Sequence, residues 1–254
     1  GTVVLPGFTF NPWIGCAKVS PGCANCYAAA MDERRFSRTL GGATKERPVI
    51  HFGKGAPRHR TSEANWRAPL QWNRKAQELG VTLRVFSASL GDWLDDEVPV
   101  EWLADLLGLI HETPHLDWLL LTKRPQMWEL RCAEVAQSAF PDRLPRIGAN
   151  LANNWFGGEE APANVWIGTT VEDQQRADER IPALLNIPAR VRFLSCEPLL
   201  GPVKLPIGRV MTGFPQHITA AGKAVGAPLA IHWVIAGGES GPHARPMHPE
   251  WARS

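Results

Sequence analysis

Apolar stretches of strand length recur along the chain, each followed by polar residues and then by a helical repeat. The clearest are Leu83–Ser89, Asp117–Thr122, Asn164–Thr169, Val191–Cys196 and Ile231–Gly237. They are nearly continuous in Val, Ile, Leu, Phe and Trp, as parallel strands covered on both faces require; a strand with one wet face would alternate. Amphipathic stretches lie at Ser62–Leu79, Pro99–His111, Pro125–Ala139 and Glu172–Leu185. This alternation predicts an α/β chain of βα units and not a β-sandwich. A further strand around Thr9–Trp13 brings the count to six, enough for a full or partial parallel βα barrel of the TIM type in a single domain over residues 1–254. A doubly wound open sheet is the competing architecture. Gly41–Thr61 and Arg143–Ala163 read as long irregular segments, of the length that tends to be functional or disordered. Pro249-Glu250-Trp251 reads as the start of a helix, so the natural chain is expected to run on past Ser254.

The polar residues that follow each strand carry the candidate chemistry, because barrels assemble their sites at the C-terminal ends of strands. These groups are Ser87, Ser89 and Asp92; Thr122, Lys123 and Arg124; Thr169, Thr170 and Glu172; Ser195, Cys196 and Glu197; Gly238, Glu239 and Ser240. Lys123 and Arg124 are suited to a carboxylate or phosphate, Arg through its bidentate fork. Glu197 precedes Pro198, which favours an extended backbone and aims its carboxylate at the mouth of the site. Gly237-Gly238-Glu239 offers bare backbone beside a carboxylate, a suitable setting for a positively charged ligand group, although a tight turn explains the glycines equally. Each group alone is also what any solvated strand end looks like; the five together are the signal. Trp13 and Trp93 adjoin these residues and are candidate pocket walls, while Trp66, Trp102, Trp118, Trp166 and Trp233 read as core.

Cys16, Cys23 and Cys26 fall within eleven residues, spaced C-x6-C-x2-C, with Gly15, Pro21 and Gly22 folding the loop and a helix expected over Ala28–Phe36. Three thiolates leave one coordination position open, whereas structural zinc is normally closed by four ligands. The spacing alone admits a [4Fe–4S] cluster, a zinc ion completed by His51 or His59, or small buried thiols. Cys132 and Cys196 read as packing residues.

Composition narrows the setting. The 44% apolar content supports a buried core, and Lys plus Arg exceed Asp plus Glu by only 27 to 25, which excludes a globally basic nucleic-acid coat. The near balance conceals a basic loop: Arg34, Arg35, Arg38, Lys45, Arg47, Lys54, Arg58 and Arg60 stand against Glu46 alone. Mixed with Gly and Pro, it reads as a mobile flap beside the site, suited to the phosphates of a nucleotide, DNA or RNA, with a solvated loop as the plainer alternative. No apolar run approaches the roughly 18 residues of a membrane span and no signal peptide opens the chain, so a cytoplasmic setting is expected.

Several phrases spread over almost the whole chain carry a resemblance: FNPWIGCAKVSPGCANCYA, LLLTKRP, NVWIGTTVEDQQRADERIPALL, VRFLSCEPLLGPV and HWVIAGGESGPHARPMHPEW. The chain resembles the phage-associated three-cysteine-motif family, a domain of unknown function related to radical S-adenosylmethionine enzymes. The resemblance implies a barrel with a [4Fe–4S] cluster on Cys16, Cys23 and Cys26 and S-adenosyl-L-methionine on the open iron, and a host-cytoplasmic location if phage-encoded. Reductive cleavage of that cofactor would give a 5′-deoxyadenosyl radical. On this view Glu197, Lys123 and Asp92 are the candidate catalytic residues, and Gly237, Gly238, Glu239, Ser87, Thr169 and Arg124 the candidate cofactor-binding residues. The substrate would be a small molecule, a nucleotide or a base in DNA, and a partner protein delivering it is compatible with the sequence. The alternative from another class is a zinc-stabilised, non-catalytic nucleic-acid-binding protein.

Overall fold

The computed structural model describes residues 7–157, 161–205, 217–218, 224–225, 231–241 and 243–253. In chain order the strands are β1 (Phe8–Phe10), β2 (Trp13–Ile14), β3 (His59–Arg60), β4 (Leu83–Ser87), β5 (Leu116–Thr122), β6 (Val165–Thr170), β7 (Val191–Cys196), β8 (His217–Ile218), β9 (Ala224–Val225) and β10 (Trp233–Ala236). The helices are α1 (Tyr27–Arg34), α2 (Glu63–Leu79), α3 (Val100–His111), α4 (Trp128–Gln137), α5 (Arg143–Phe156) and α6 (Gln174–Asn186).

The main sheet has the order β1-β4-β5-β6-β7-β10, and every pairing in it is parallel. Each new strand is added beside the last, with no reversal of direction. A doubly wound sheet reverses at a switch point, so that alternative is not what forms. Nor does the sheet close: among the described residues β1 and β10 do not pair, and the full barrel is corrected to an open, singly wound parallel sheet. Two short antiparallel pairs, β2 with β3 and β8 with β9, lie outside it.

Side chains alternate across the sheet. Leu83, Val85, Leu116, Trp118, Leu120, Val165, Ile167, Leu194 and Cys196 belong to the dry core. The opposite face packs on itself. Gly168 leaves room for the Phe193 ring, which a Cβ at that position would strike. Trp233 lies 5.1 Å from Phe193 and 6.3 Å from Trp166, centroid to centroid, two strands apart from the latter in the sheet order. Gly168, on the strand that carries Trp166, leaves the space over which these rings meet.

The helices follow the expected positions with local reasons. Ser62 caps α2 by accepting from Asn65 N, Gly80 ends it in the left-handed conformation, and Asp173 caps α6 by accepting from Arg176 N. Arg143–Phe156, expected to be irregular, is instead helical. Pro145 lies in its first turn, where proline is tolerated, and Gly148 packs so closely that a Cβ there would collide with Ala104 O of α3. The helix forms because α3 offers a surface that only a small residue can approach. No helix among the described residues is long and apolar enough to cross a membrane.

Candidate functional site

The strand ends and the cysteine loop enclose a cavity of about 450 Å³. Cys16, Cys23 and Cys26 all line it, together with Asp92, Lys123, Glu197, Gly238 and Glu239. The loop reaches this place through local chemistry. Asn11 Oδ1 accepts from Leu90 N at 2.8 Å and Ser89 Oγ at 3.1 Å, and Gly15 N donates to Leu90 O at 3.0 Å, tying the loop to the end of β4. Cys23 sits in a 3-10 turn over Pro21–Cys23, and Cys26 is the N-cap of α1. Gly22 N donates to the buried Glu172 Oε1 at 3.2 Å, and Glu172 Oε2 accepts from Arg180 Nη1 at 2.8 Å. Arg180 is thus buried beneath the cysteine turn.

Arg124 and Asp92 form the other clamp. Arg124 Nη1 donates to Asp92 Oδ2 at 3.1 Å and lies 3.4 Å from Cys16 Sγ, while Nη2 donates to Ala17 O at 2.9 Å. Asp92 also accepts from Thr122 Oγ1 at 2.7 Å, Lys123 N at 2.9 Å and Leu94 N at 3.0 Å. Both side chains are buried and spent on positioning: Arg124, expected to grip a ligand, grips the cysteine loop, and Asp92 locks the ends of β4 and β5 together. Burial, reinforced by the Asp92 carboxylate and partly offset by Arg124, pushes the Cys16 thiol up to about 12. Burial likewise raises Cys132 to about 12 and Cys196 to about 11, consistent with packing thiols in the dry core.

Glu239 sits beside the cysteine turn but is already engaged. It accepts from Arg245 N at 2.8 Å and Arg245 Nε at 2.9 Å, and from Asn25 Nδ2 at 2.9 Å. Arg245 also donates to Pro21 O at 2.9 Å, so the segment after β10 is strapped to the loop. The Arg245 hydrogen bonds hold the Glu239 carboxyl down at about 2.

Two charged groups on the cavity wall have no ionic partner among the described residues. Lys123 Nζ reaches only Thr170 Oγ1, at 3.3 Å. Glu197 is exposed to the cavity and makes no hydrogen bond among the described residues; Gly237 backs it so closely that a Cβ would strike Glu197 Oε1. Ser195 and Thr170 place side chains between them, and Phe86 and Phe193 supply aromatic wall.

Ser87 and Thr169 do not join this cavity. Both are buried on the other face of the sheet, Thr169 donating to Thr122 O at 2.9 Å and Ser87 Oγ having no partner among the described residues; Ser89 and Thr170 line the cavity instead. Trp13 and Trp93, expected as pocket walls, are fully buried in the core. Phe52, from the basic loop, is a wall that no sequence signal marked.

The basic loop is only partly a flap. His51 is buried with Nδ1 at 2.7 Å from Asp32 Oδ1, and Arg58 is buried with Nε at 2.9 Å from Asp95 Oδ2 and Nη2 at 2.9 Å from Glu97 Oε2. Arg60 pairs with Asp105 at 2.7 Å and lies 3.9 Å over the Trp66 ring. Gly53 N donates to Cys16 O at 3.0 Å, so this half is fastened to the cysteine loop. Arg34, Arg35, Arg38, Lys45, Arg47 and Lys54 are exposed and form no ion pair among the described residues. Among the described residues no group of three or more His, Cys, Asp or Glu is arranged to hold a metal ion. His51, considered as a zinc ligand, has its Nδ1 turned to Asp32.

No curated protein and no solved structure matches the chain. A family model described as a protein of unknown function, DUF5131, matches residues 4–254, and the chain belongs to that family.

Proposed function

We propose that the protein is a radical S-adenosylmethionine-type enzyme in which Cys16, Cys23 and Cys26 hold a [4Fe–4S] cluster, acting on a phosphate-bearing substrate such as a nucleotide or a nucleic-acid base. The observation that carries this reading is that all three cysteines line one cavity with the C-terminal strand ends of a singly wound parallel sheet, which we take as a partial barrel. The donor set suits the group. A zinc ion needs four ligands converging at about 2.0–2.3 Å; a cluster presents separate irons to separate thiolates, and three cysteines of one loop that line a single cavity suit that demand. Cys26 stands at the N-terminus of α1, the end of a helix that favours negative charge. Cys16, left alone, keeps its proton at neutral pH, so its deprotonation would accompany binding of a positively charged centre.

The cluster and S-adenosyl-L-methionine, when bound, would supply one-electron radical chemistry. The chain's own residues do the rest. Arg124, Glu172 and Arg245 fix the cysteine loop from three sides. Among the described residues of the cavity wall, Lys123 is the cation without an ionic partner and so able to hold an anionic group. Glu197, which makes no hydrogen bond among the described residues, and not Glu239 is the carboxylate to meet a cationic or N–H-bearing group of cofactor or substrate, because Arg245 and Asn25 already share Glu239.

Anaerobic reconstitution with iron and sulfide tests the reading. The expected result is the broad visible absorbance of an iron–sulfur centre and formation of 5′-deoxyadenosine on reduction, both lost in Cys16→Ala, Cys23→Ala and Cys26→Ala. One tightly held zinc and no cofactor cleavage would overturn it.

A further inference from the structure

A second concavity, of about 410 Å³, runs along the outer side of the cysteine turn and α1. It adjoins the cavity, Asn25, Cys26, Tyr27 and Ser240 lining both. Lys18, Arg34 and Arg35 line it, with Glu33 as its only acid among the described residues, and Ala29, Ala30 and Met31 supply its apolar surface. None of the three cations forms an ion pair among the described residues; Lys18 Nζ reaches only the Ala24 carbonyl, at 3.5 Å, and the Arg35 guanidinium lies 5.7 Å over the Phe36 ring. Two nearby acids are taken elsewhere, Asp32 by His51 and Glu239 by Arg245, which leaves Glu33 against three cations. Tyr27, the one tyrosine of the chain, stands at the junction. Its hydroxyl donates to Ser89 O at 2.6 Å, which fixes the ring, yet the residue is 49% exposed.

A row of unpaired cations beside a fixed, exposed aromatic ring is the combination that binds single-stranded nucleic acid: cations follow the phosphates and rings stack on bases. A base must leave its stack to enter a cavity of about 450 Å³, which a single strand permits at low cost. We propose that this groove is the track of a nucleic-acid strand whose base passes Tyr27 into the cavity, so that the substrate is a polynucleotide and not a free nucleotide. The inference rests on the catalytic reading above for what happens in the cavity, but not for the binding itself.

Fluorescence anisotropy with labelled single-stranded DNA and RNA of about 12 nucleotides, within the span of such sites, tests it on the full chain across a salt titration. The expected result is binding that weakens with salt, at least about tenfold weaker in the K18E/R34E/R35E variant, whose salt slope falls by about 2, near 0.7 for each phosphate no longer neutralised. Tyr27→Ala should weaken binding by about fivefold or more, the lower end of what stacking one base on an aromatic ring contributes. A mononucleotide should compete poorly. The proposal is overturned if the oligonucleotides do not bind, if the charge-reversed variant binds as tightly with an unchanged melting temperature, or if only an acidic protein is held through these residues. Cofactor cleavage by a reconstituted protein that binds no oligonucleotide sinks the groove and leaves the catalytic reading standing. Oligonucleotide binding by a protein that takes up no iron does the reverse.

Discussion

The two halves of the basic stretch have similar composition and opposite fates. From Arg34 to Arg47 the cations are exposed and form no ion pair among the described residues. From His51 to Arg60 all but the exposed Lys54 turn inward, with His51, Arg58 and Arg60 each meeting a carboxylate from another element: Asp32 of α1 for His51, Asp95 and Glu97 after β4 for Arg58, and Asp105 of α3 for Arg60. Burying a charge without a partner is costly, so only the half that meets carboxylates can be buried. The exposed half is left to the solvent or a ligand. Whether a basic residue is mortar or bait is therefore decided by what the fold brings from far along the chain.

The sharpest way to break this contrast is Arg58→Met. The substitution removes the guanidinium that bridges Asp95 and Glu97 and that donates to the carbonyls of His51, Gly53 and Ala56. Asp95 stays buried with its closest counter-charge gone, since Arg124 Nη2 is 3.8 Å from its other oxygen. The expected loss is about 3–5 kcal/mol, the usual cost of removing one partner of a buried pair, measured by equilibrium chemical unfolding. A loss below about 1 kcal/mol, the range of exposed pairs, would place Arg58 with the solvent-facing half.

The same long-range dependence explains what is legible in the sequence. The strands are readable because each is apolar on both faces, a property of the segment itself. The α5 helix is not, because Pro145, Gly148 and the pair Asn153-Asn154 look like a loop until α3 is in place to receive Gly148. At the site, Lys123, Glu197 and Glu239 follow from the simple expectation that strand ends carry chemistry, and the three cysteines from their spacing in one loop. Ser87 and Thr169 fall on the wrong side by one residue of strand parity, since neighbours along a strand face opposite sides. Asn25 and Arg245 escape sequence reasoning entirely. Asn25 lies between two cysteines, which is a signal of a kind; Arg245 has no local signal, and only the fold puts it against Pro21 and Glu239.

A smaller effect should appear with pH in the buried half. Burial, together with neighbouring His51, lowers the pKa of His59 below its ordinary 6.5, while Asp32 works against the shift. The unfolded ring therefore takes up its proton at a higher pH than the folded one. Stability is expected to be full above about pH 6.5, to fall as pH drops from there through the lower folded value, and to level off below it. His59→Gln should flatten that part of the curve. Thermal midpoints at about pH 7.5 and 5.5, on either side of the free imidazole value, would show it, and an unchanged slope in the variant would assign the titration to another group.

The smallest stability effect belongs to the exposed half, and it is the one that gives the comparison its meaning. Arg34→Ala and Arg38→Ala remove side chains with no ion pair among the described residues, so each should shift unfolding by less than about 0.5 kcal/mol, as surface substitutions do. Arg34 lines the groove and Arg38 does not. Oligonucleotide binding should therefore fall with the first and change little with the second, although both carry the same charge and both are exposed. Equal losses from the two would mean that only the summed charge of the stretch matters, and the groove would have no more claim on a strand than any other basic surface.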